Sequence, residues 1–426
     1  MLKIQPEQQT FYGDFFYRKV IPTDHLLKKI NEVIDFSFVN DSVKDLYCPD
    51  FGRPAIEPSR LFKIAFLEYL YNISDVRIMK EIQVNMAYKW FVGYQADECV
   101  PDDSTLVVFR NRLGEKKFKE IFDQIVKKAK EYGFITGDHQ IIDATDIRAD
   151  TAIPQLSKEE KKNPNDKPPS QIDPDAEFGA KSSKEKFFGY KKHILMDKSE
   201  IITGIKVTGG SIGDEQLLKD LLEEQKEIHH IKPSILSGDC IYGTGENRKY
   251  LNQEKVKQII PTMNKRGPKS KIKNHFTEEG FIFDANNHTL TCPAKQITSK
   301  FNYREKARGK DFYFSVKQCR KCPLKTRCLS GKTPYKTIFI SDYYKEQLEA
   351  KNYEKTGEYQ DMKKVRGIIE HKNAEEKRFH GQGRARCRGR PKVSIQAYLT
   401  SIVVNVKRMV TLFSMSPPEL AIVLNR

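Results

Sequence analysis

Apolar and polar positions along the chain divide it into four zones. Over residues 58–134 the period is helical: Leu61, Ile64, Ala65, Leu67, Leu70 and Tyr71 mark successive apolar turns, Ser74-Asp75 offers an N-cap, and Ile78, Ile82, Met86 and Trp90 follow at i,i+4 spacing. Short helices joined this closely suit a helix-turn-helix with its second member in the major groove, and equally a bundle that touches no DNA. Trp90, the single tryptophan, reads as core.

From Gln140 the period becomes that of strands, over 140–147, 189–196, 201–207, 234–239 and 257–261, with helical patterns at 214–225 and 245–253 between the later ones. That alternation predicts an α/β sheet. Asp197-Lys198-Ser199-Glu200 reads as a hairpin turn, and the Lys-, Glu-, Pro- and Asp-rich stretch within about 155–187 as a mobile excursion that packs against nothing.

A third zone, 263–357, is strand-like at 281–283, 289–292, 311–316 and 337–340 and reads as a β-rich insertion. It holds Cys292, Cys319, Cys322 and Cys328. The run Cys319-x2-Cys322-Pro-x4-Cys328 is knuckle-like, so these four are candidate ligands of a structural Zn²⁺. Cys292 has no second cysteine beside it, and four reduced thiols are the alternative.

The last zone, 358–426, opens on a helical stretch that carries Arg366, Glu370 and Lys377 on one stripe and runs to about Phe379. It continues through a Gly/Arg loop holding Arg384, Arg386, Arg388 and Arg390 into an amphipathic helix over 393–413. Clustered arginines on flexible backbone suit phosphate contact, with a solvated loop as the alternative. The loop from Lys265 to Lys273 is a weaker second candidate.

Composition adds a partner. Lysine and arginine number 74 against 57 acidic residues, a formal net charge of +17, which draws the chain to polyanions and to nucleic acid first. The start of the chain lacks the apolar core of a signal peptide, and the most apolar stretch, near 401–413, is interrupted by Asn405, Lys407 and Arg408. A soluble intracellular protein away from membranes is expected.

Three acids carry the candidate chemistry. Asp143 interrupts the β-branched run Gln140-Ile-Ile-Asp143-Ala-Thr-Asp146-Ile, and Asp239 follows the apolar run Ile235-Leu236-Ser237-Gly238 at a strand's carboxyl edge. Glu370 lies on the helix. Two strand aspartates and a helix glutamate suit a pair of Mg²⁺ or Mn²⁺ ions about 3.5–4 Å apart. Each acid has a plainer reading as a solvated or ion-paired side chain, and for Glu370 that is an i,i+4 pair with Arg366. Asp146 and Asp150 compete with Asp143; alternation places Asp143 and Asp146 on opposite faces, and Asp143 lies deeper in the run. No Gly-x4-Gly-Lys-Ser/Thr string, Gly-x-Ser-x-Gly elbow or His-Glu-x2-His pair is present, so the sequence offers no support for ATPase, serine hydrolase or zinc hydrolase chemistry.

Arg366-x3-Glu370-x6-Lys377, with Asp143 on the first strand, Asp239 after the fourth and a β insertion before the glutamate, resembles the Asp-Asp-Glu (DDE) transposases of bacterial insertion sequences. Gly189-Tyr190-Lys191, the Gly/Arg loop, Gly52-Arg53-Pro54, Trp90-Phe91 and Pro101-Asp102-Asp103-Ser104-Thr105 with Phe109-Arg110 extend the likeness over nearly the whole chain. The resemblance implies an α/β fold: a ribonuclease H-like mixed sheet in two segments, 136–262 and 358–426, a helical DNA-binding domain over 1–135, and the β-rich, cysteine-containing insertion before the last catalytic helix. It further implies that Asp143, Asp239 and Glu370 bind two Mg²⁺ (or Mn²⁺), that double-stranded element ends are cleaved and joined to target DNA, and that Arg366, Lys377 and Lys191 contact DNA in a homodimer on the nucleoid of a bacterial cytoplasm. The family's tyrosine three residues before the arginine is replaced by Lys363, leaving Tyr359 one turn earlier as a substitute. The insertion lacks the tryptophan that stacks on a flipped base in better-known relatives; Phe301, Tyr303, Phe312 and Tyr313 are its aromatic alternatives. A stand-alone structure-selective nuclease and a non-catalytic DNA-binding relic are the competing readings.

Overall fold

The computed structural model describes residues 11–424 except 49, 53, 181–184, 264–275, 277–279 and 330–332, so Arg53 and the basic loop from Lys265 to Lys273 lie outside the described residues. Two compact units are present, one formed by residues 1–239 with 361–426 and the other by 240–360.

The first unit begins with seven helices: α1 (Phe11–Val20), α2 (Leu26–Val33), α3 (Phe38–Val43), α4 (Pro58–Leu70), α5 (Asp75–Val84), α6 (Met86–Val92) and α7 (Ser104–Glu131). Their ends follow local chemistry. Proline at the first turn of α4 gives up an N–H that has no helical partner. Ser74 caps α5, and Asn85 ends α5 and caps α6 by accepting from the N–H groups of Ala87 and Tyr88 at 3.0 and 3.2 Å. Gly114, at φ 62° and ψ 178°, breaks the helical path of α7. Phe36, Phe62, Phe66 and Phe91 interlock at the centre of this bundle.

The same core continues into the sheet and the helix α15 (Arg390–Phe413), which packs on α2, α4 and α7 as well as on a strand. A boundary at residue 135 therefore marks a change of secondary structure rather than a break in packing. The amphipathic helix expected over 393–413 is corrected too, for every residue from Val393 to Val406 is buried. Among its polar members, Asn405 is accommodated by bonding with the backbone of Ile202 at 2.8 Å in both directions. Among the described residues no helix is long and apolar enough to cross a membrane. A short helix, α16 (Pro417–Leu424), follows.

The strands of this unit are β1 (His139–Arg148), β2 (Glu177–Ala180), β3 (Lys186–Asp197), β4 (Ile202–Gly209) and β5 (Ile235–Ser237), with α8 (Leu218–His229) between the last two. β3 is antiparallel to β1 on one side; on the other it pairs with β2 near its start and β4 along the rest. β5 joins β1 in parallel, making the sheet mixed. Gly189 sits where β3 passes the end of β1. Its φ is 151°, and a Cβ there would meet the carbonyl oxygen of Ile147 at 2.1 Å.

The stretch within 155–187 does not go unattached. Asp173 is fully buried and accepts from the Tyr190 hydroxyl and the Gly389 N–H, Asn165 brackets the backbone of Phe178 with two bonds, and β2 adds to the sheet. Charge and proline content conceal how well single Asp and Asn side chains can satisfy backbone and hydroxyl groups.

In the second unit α9 (Gly245–Gln253) and β6 (Lys257–Ile259) precede two small antiparallel sheets. One is built from β7 (Ile282–Asp284), β8 (Thr289–Thr291) and β9 (Ile297–Thr298), the other from β10 (Phe301–Arg304), β11 (Gly309–Tyr313) and β12 (Thr337–Ser341). Val316, expected to end a strand, opens α10 (Val316–Arg320), which is followed by α11 (Lys325–Cys328), α12 (Tyr344–Tyr353) and α13 (Gly357–Lys363). The buried apolar cluster of these sheets is small: Phe281, Leu290, Phe312, Phe314, Ile338 and Ile340.

Candidate active site

Register brings the two aspartates together. In the parallel pair Ile141 lies opposite Ser237, the last residue of β5, and Asp143 and Asp239 each follow two residues further along their chains. Asp239 is close enough for its charge to act on the Asp143 carboxyl. Burial pushes the Asp143 carboxyl up to about 6; the Ala144 N–H and the Arg366 guanidinium oppose that rise, while Asp239 and Asp214 add to it. A metal or a proton relieves such a group.

The third element is the helix α14 (Gly367–Phe379), which packs on β1 with Ile369, Lys372, Asn373 and Glu376 buried. Glu376 anchors it: its carboxylate accepts from Lys192 Nζ on β3 at 2.6 and 2.7 Å and from Ser401 Oγ on α15 at 2.9 Å, with both charged side chains fully buried. One turn before, Asn373 Nδ2 donates to Asp143 Oδ2 at 2.8 Å. The other atom of that amide, Oδ1, is buried without a hydrogen-bond partner. Glu370 lies one turn earlier still, 65% exposed, with Oε1 3.5 Å from Arg366. Arg366 thus pairs with the helix glutamate while its charge reaches the strand aspartate.

Among the described residues no three His, Cys, Asp or Glu side chains stand together in a metal-holding arrangement. Asp239's charge thus acts on Asp143, and Arg366 pairs with Glu370 while its charge reaches Asp143, but the three acids do not close on one point.

Several expected contact residues are already engaged. Lys377 donates to Asp146 at 2.7 Å, so Asp143 and Asp146 both meet α14 despite strand alternation, because the long lysine stem reaches where the short asparagine amide cannot. Lys191 is held by Asp214 at 2.8 Å and by the Ile212 carbonyl. Arg386 turns inward, donating to Glu68 and Asn72 and lying 4.3 Å over the ring of Tyr69, so its role in phosphate contact is corrected to a structural one. Tyr359, in the second unit, is buried at 1% exposure rather than presented to a strand of DNA. Arg384, Arg388 and Arg390 are exposed, and Arg384 and Arg388 make single bonds to Asp150. The residue missed by sequence reasoning is Asn373; its signal was the i,i+3 and i,i+4 spacing that sets it between Glu370 and Lys377 on one helical stripe.

Two family models match the chain: "Transposase domain (DUF772)" over residues 15–112 and "Transposase DDE domain" over residues 136–406. A solved structure, the piggyBac transposase synaptic complex with hairpin DNA (SNHP) determined by cryo-electron microscopy, is similar at 12% identity and a TM-score of 0.35, covering 94% of this chain and 75% of that one. A likeness that weak carries no argument. The second family model spans well over half of the chain and includes both aspartates, Arg366, Glu370 and Asn373. The chain belongs to the DDE transposase family.

Proposed function

We propose that Asp143, Asp239 and Glu370 are the metal-binding acids of this transposase, and that they work on double-stranded DNA at the ends of its element. The observation that carries the reading is the parallel pairing that ends just before both aspartates and leaves Asp239's charge acting on Asp143, with α14 tied to Asp143 through Asn373. The donor set is all oxygen, and one buried oxygen, Asn373 Oδ1, lacks a partner; both features fit Mg²⁺ or Mn²⁺. Two such ions, when bound, activate the attacking water or 3′ hydroxyl and stabilise the leaving oxygen.

The protein's own groups supply the rest. Burial beside Asp239 makes the Asp143 carboxylate eager for a cation. Arg366 lies between two of the acids, where it balances their charge and meets a scissile phosphate. The exposed Arg384, Arg388 and Arg390 grip flanking backbone and set the register of the duplex. The order in which β4, β3, β1 and β5 neighbour one another, antiparallel except for the last pair, supports a ribonuclease H-like core. Concerted joining of two ends calls for two copies of the chain, hence a homodimer.

The test is Mg²⁺-dependent cleavage and strand transfer on DNA carrying the ends of the source element, comparing the wild type with Asp143→Asn, Asp239→Asn and Glu370→Gln. Joined products in the wild type, lost in all three variants while binding persists, are expected. Cleavage without joining points instead to a nuclease, and binding with neither to a relic. Wild-type levels of joining in Glu370→Gln remove that residue from the site.

A further inference from the structure

The second unit carries four cysteines that the chemistry of the acids does not use. Cys292 follows β8, Cys319 lies on α10, Cys322 comes just beyond it, and Cys328 ends α11. Folding brings all four to the wall of one cavity, together with Phe281 and Phe314 from the small apolar cluster. Sequence spacing leaves Cys292 isolated; the tertiary structure does not.

We infer that this cavity is a structural Zn²⁺ site with Cys292, Cys319, Cys322 and Cys328 as its ligands. Three independent features converge on it. The first is the donor set: four thiols facing one space, none in a disulfide, is the composition of closed tetrahedral zinc sites.

The second is the backbone around the sulfurs. After Cys292 the chain folds back so that Cys292 N–H donates to the Gln296 carbonyl at 2.8 Å and Gln296 N–H points at Cys292 Sγ at 3.4 Å. Lys295 takes a left-handed φ of 60° to complete that turn. An N–H aimed at sulfur stabilises thiolate over thiol, as groups behind metal ligands do. Cys319 and Cys322 are joined by a second tight turn, with Cys322 N–H on the Cys319 carbonyl at 3.4 Å. Lys325 and Lys336 also line the cavity and favour sulfur anions. All four sulfurs line one space, so thiolates there repel one another once charged. A cation among them removes that repulsion.

The third is size. Among the described residues, six buried apolar side chains form the shared core of two three-stranded sheets, a core small enough to profit from a staple. Among the described residues no three of these side chains already stand in a metal-holding arrangement, so ligation requires the four thiols to close on the space they line.

The experiment is elemental analysis of the full-length protein after exhaustive dialysis, together with exchange of the bound metal for Co²⁺. About one zinc per chain, a tetrahedral thiolate charge-transfer spectrum with Co²⁺, and stoichiometric zinc release by an organomercurial in the wild type are expected. Cys319→Ser with Cys322→Ser abolishes the zinc; the Co²⁺ spectrum and mercurial release in the wild type decide the question independently of how that variant folds. Protein that holds no zinc while its thiols react freely in the native state overturns the inference, and so does iron in place of zinc. Neither readout depends on DNA, so failure here leaves the reading of the acidic site untouched.

Discussion

Asn373 and Asp143, 230 positions apart in the chain, meet at 2.8 Å, with the amide nitrogen of α14 donating to the carboxylate of β1. This contact ties a half-buried acid of β1 to the helix that crosses it. It also leaves Asn373 Oδ1 buried without a hydrogen-bond partner.

Removing that amide should uncouple geometry from affinity for DNA. Asn373→Ala is expected to lower Mg²⁺-dependent cleavage by about 10- to 100-fold, the usual cost of losing a group behind a metal ligand, with DNA affinity unchanged. Asn373→Asp, which replaces the donor by a second acid, should not restore the rate. Single-turnover cleavage alongside a filter-binding isotherm checks both; a wild-type rate in Asn373→Ala would falsify the positioning role.

Protons and metal should compete at Asp143. Its folded-state value of about 6 lies above the ordinary aspartate value near 3.9, so the folded protein holds an extra proton between those limits. The metal-free protein should therefore be most stable below pH 4 with respect to this group and lose up to about 3 kcal/mol as pH rises through 6. Metal binding needs the carboxylate, so apparent Mg²⁺ affinity should weaken as pH falls below 6. Thermal shifts against Mg²⁺ concentration at pH 5.5 and 7.5 measure this, and Asp143→Asn should flatten the difference.

The Lys192 and Glu376 pair is fully buried and spans β3, α14 and α15 through Ser401. Breaking it on one side, as in Lys192→Met, leaves an unpaired buried charge and should cost about 3–5 kcal/mol in urea unfolding. The double change Lys192→Met with Glu376→Met should recover most of that stability. If cleavage nonetheless stays low in the recovered protein, the pair holds α14 in register as well as in place.

Arginines of one loop should separate into two kinds. Arg386 bonds the buried Glu68, whose carboxyl burial pushes up to about 7 against the pull of Arg110, so Arg386→Ala should cost about 2 kcal/mol of stability. Arg384→Ala, Arg388→Ala and Arg390→Ala should leave stability alone. Each should instead reduce the slope of log affinity against log salt by about 1. Melting curves and salt titrations of the four variants distinguish these outcomes, and equal salt slopes throughout would remove the loop from the DNA interface.

The sequence by itself determined most of the elements. Strand period located β1, β3, β4 and β5, the Ser74 cap and the Glu370 stripe located helices, and the charge balance pointed to a polyanion, because these are local or summed properties. It also exposed Asp143, Asp239 and Glu370 as acids in unusual places. What only the tertiary structure decided is which groups meet. The reach of Asp239's charge to Asp143 comes from the pairing of β1 with β5, and the joining of Asn373 to Asp143 and of Cys292 to the other cysteines from packing between distant segments. Arg386 and Arg388 lie two residues apart in similar surroundings, yet one is folded against Glu68 and Tyr69 while the other stays in solvent. Composition cannot separate them, because burial of a charge depends on a partner more than 300 residues away, and that partner is supplied only when the chain has folded.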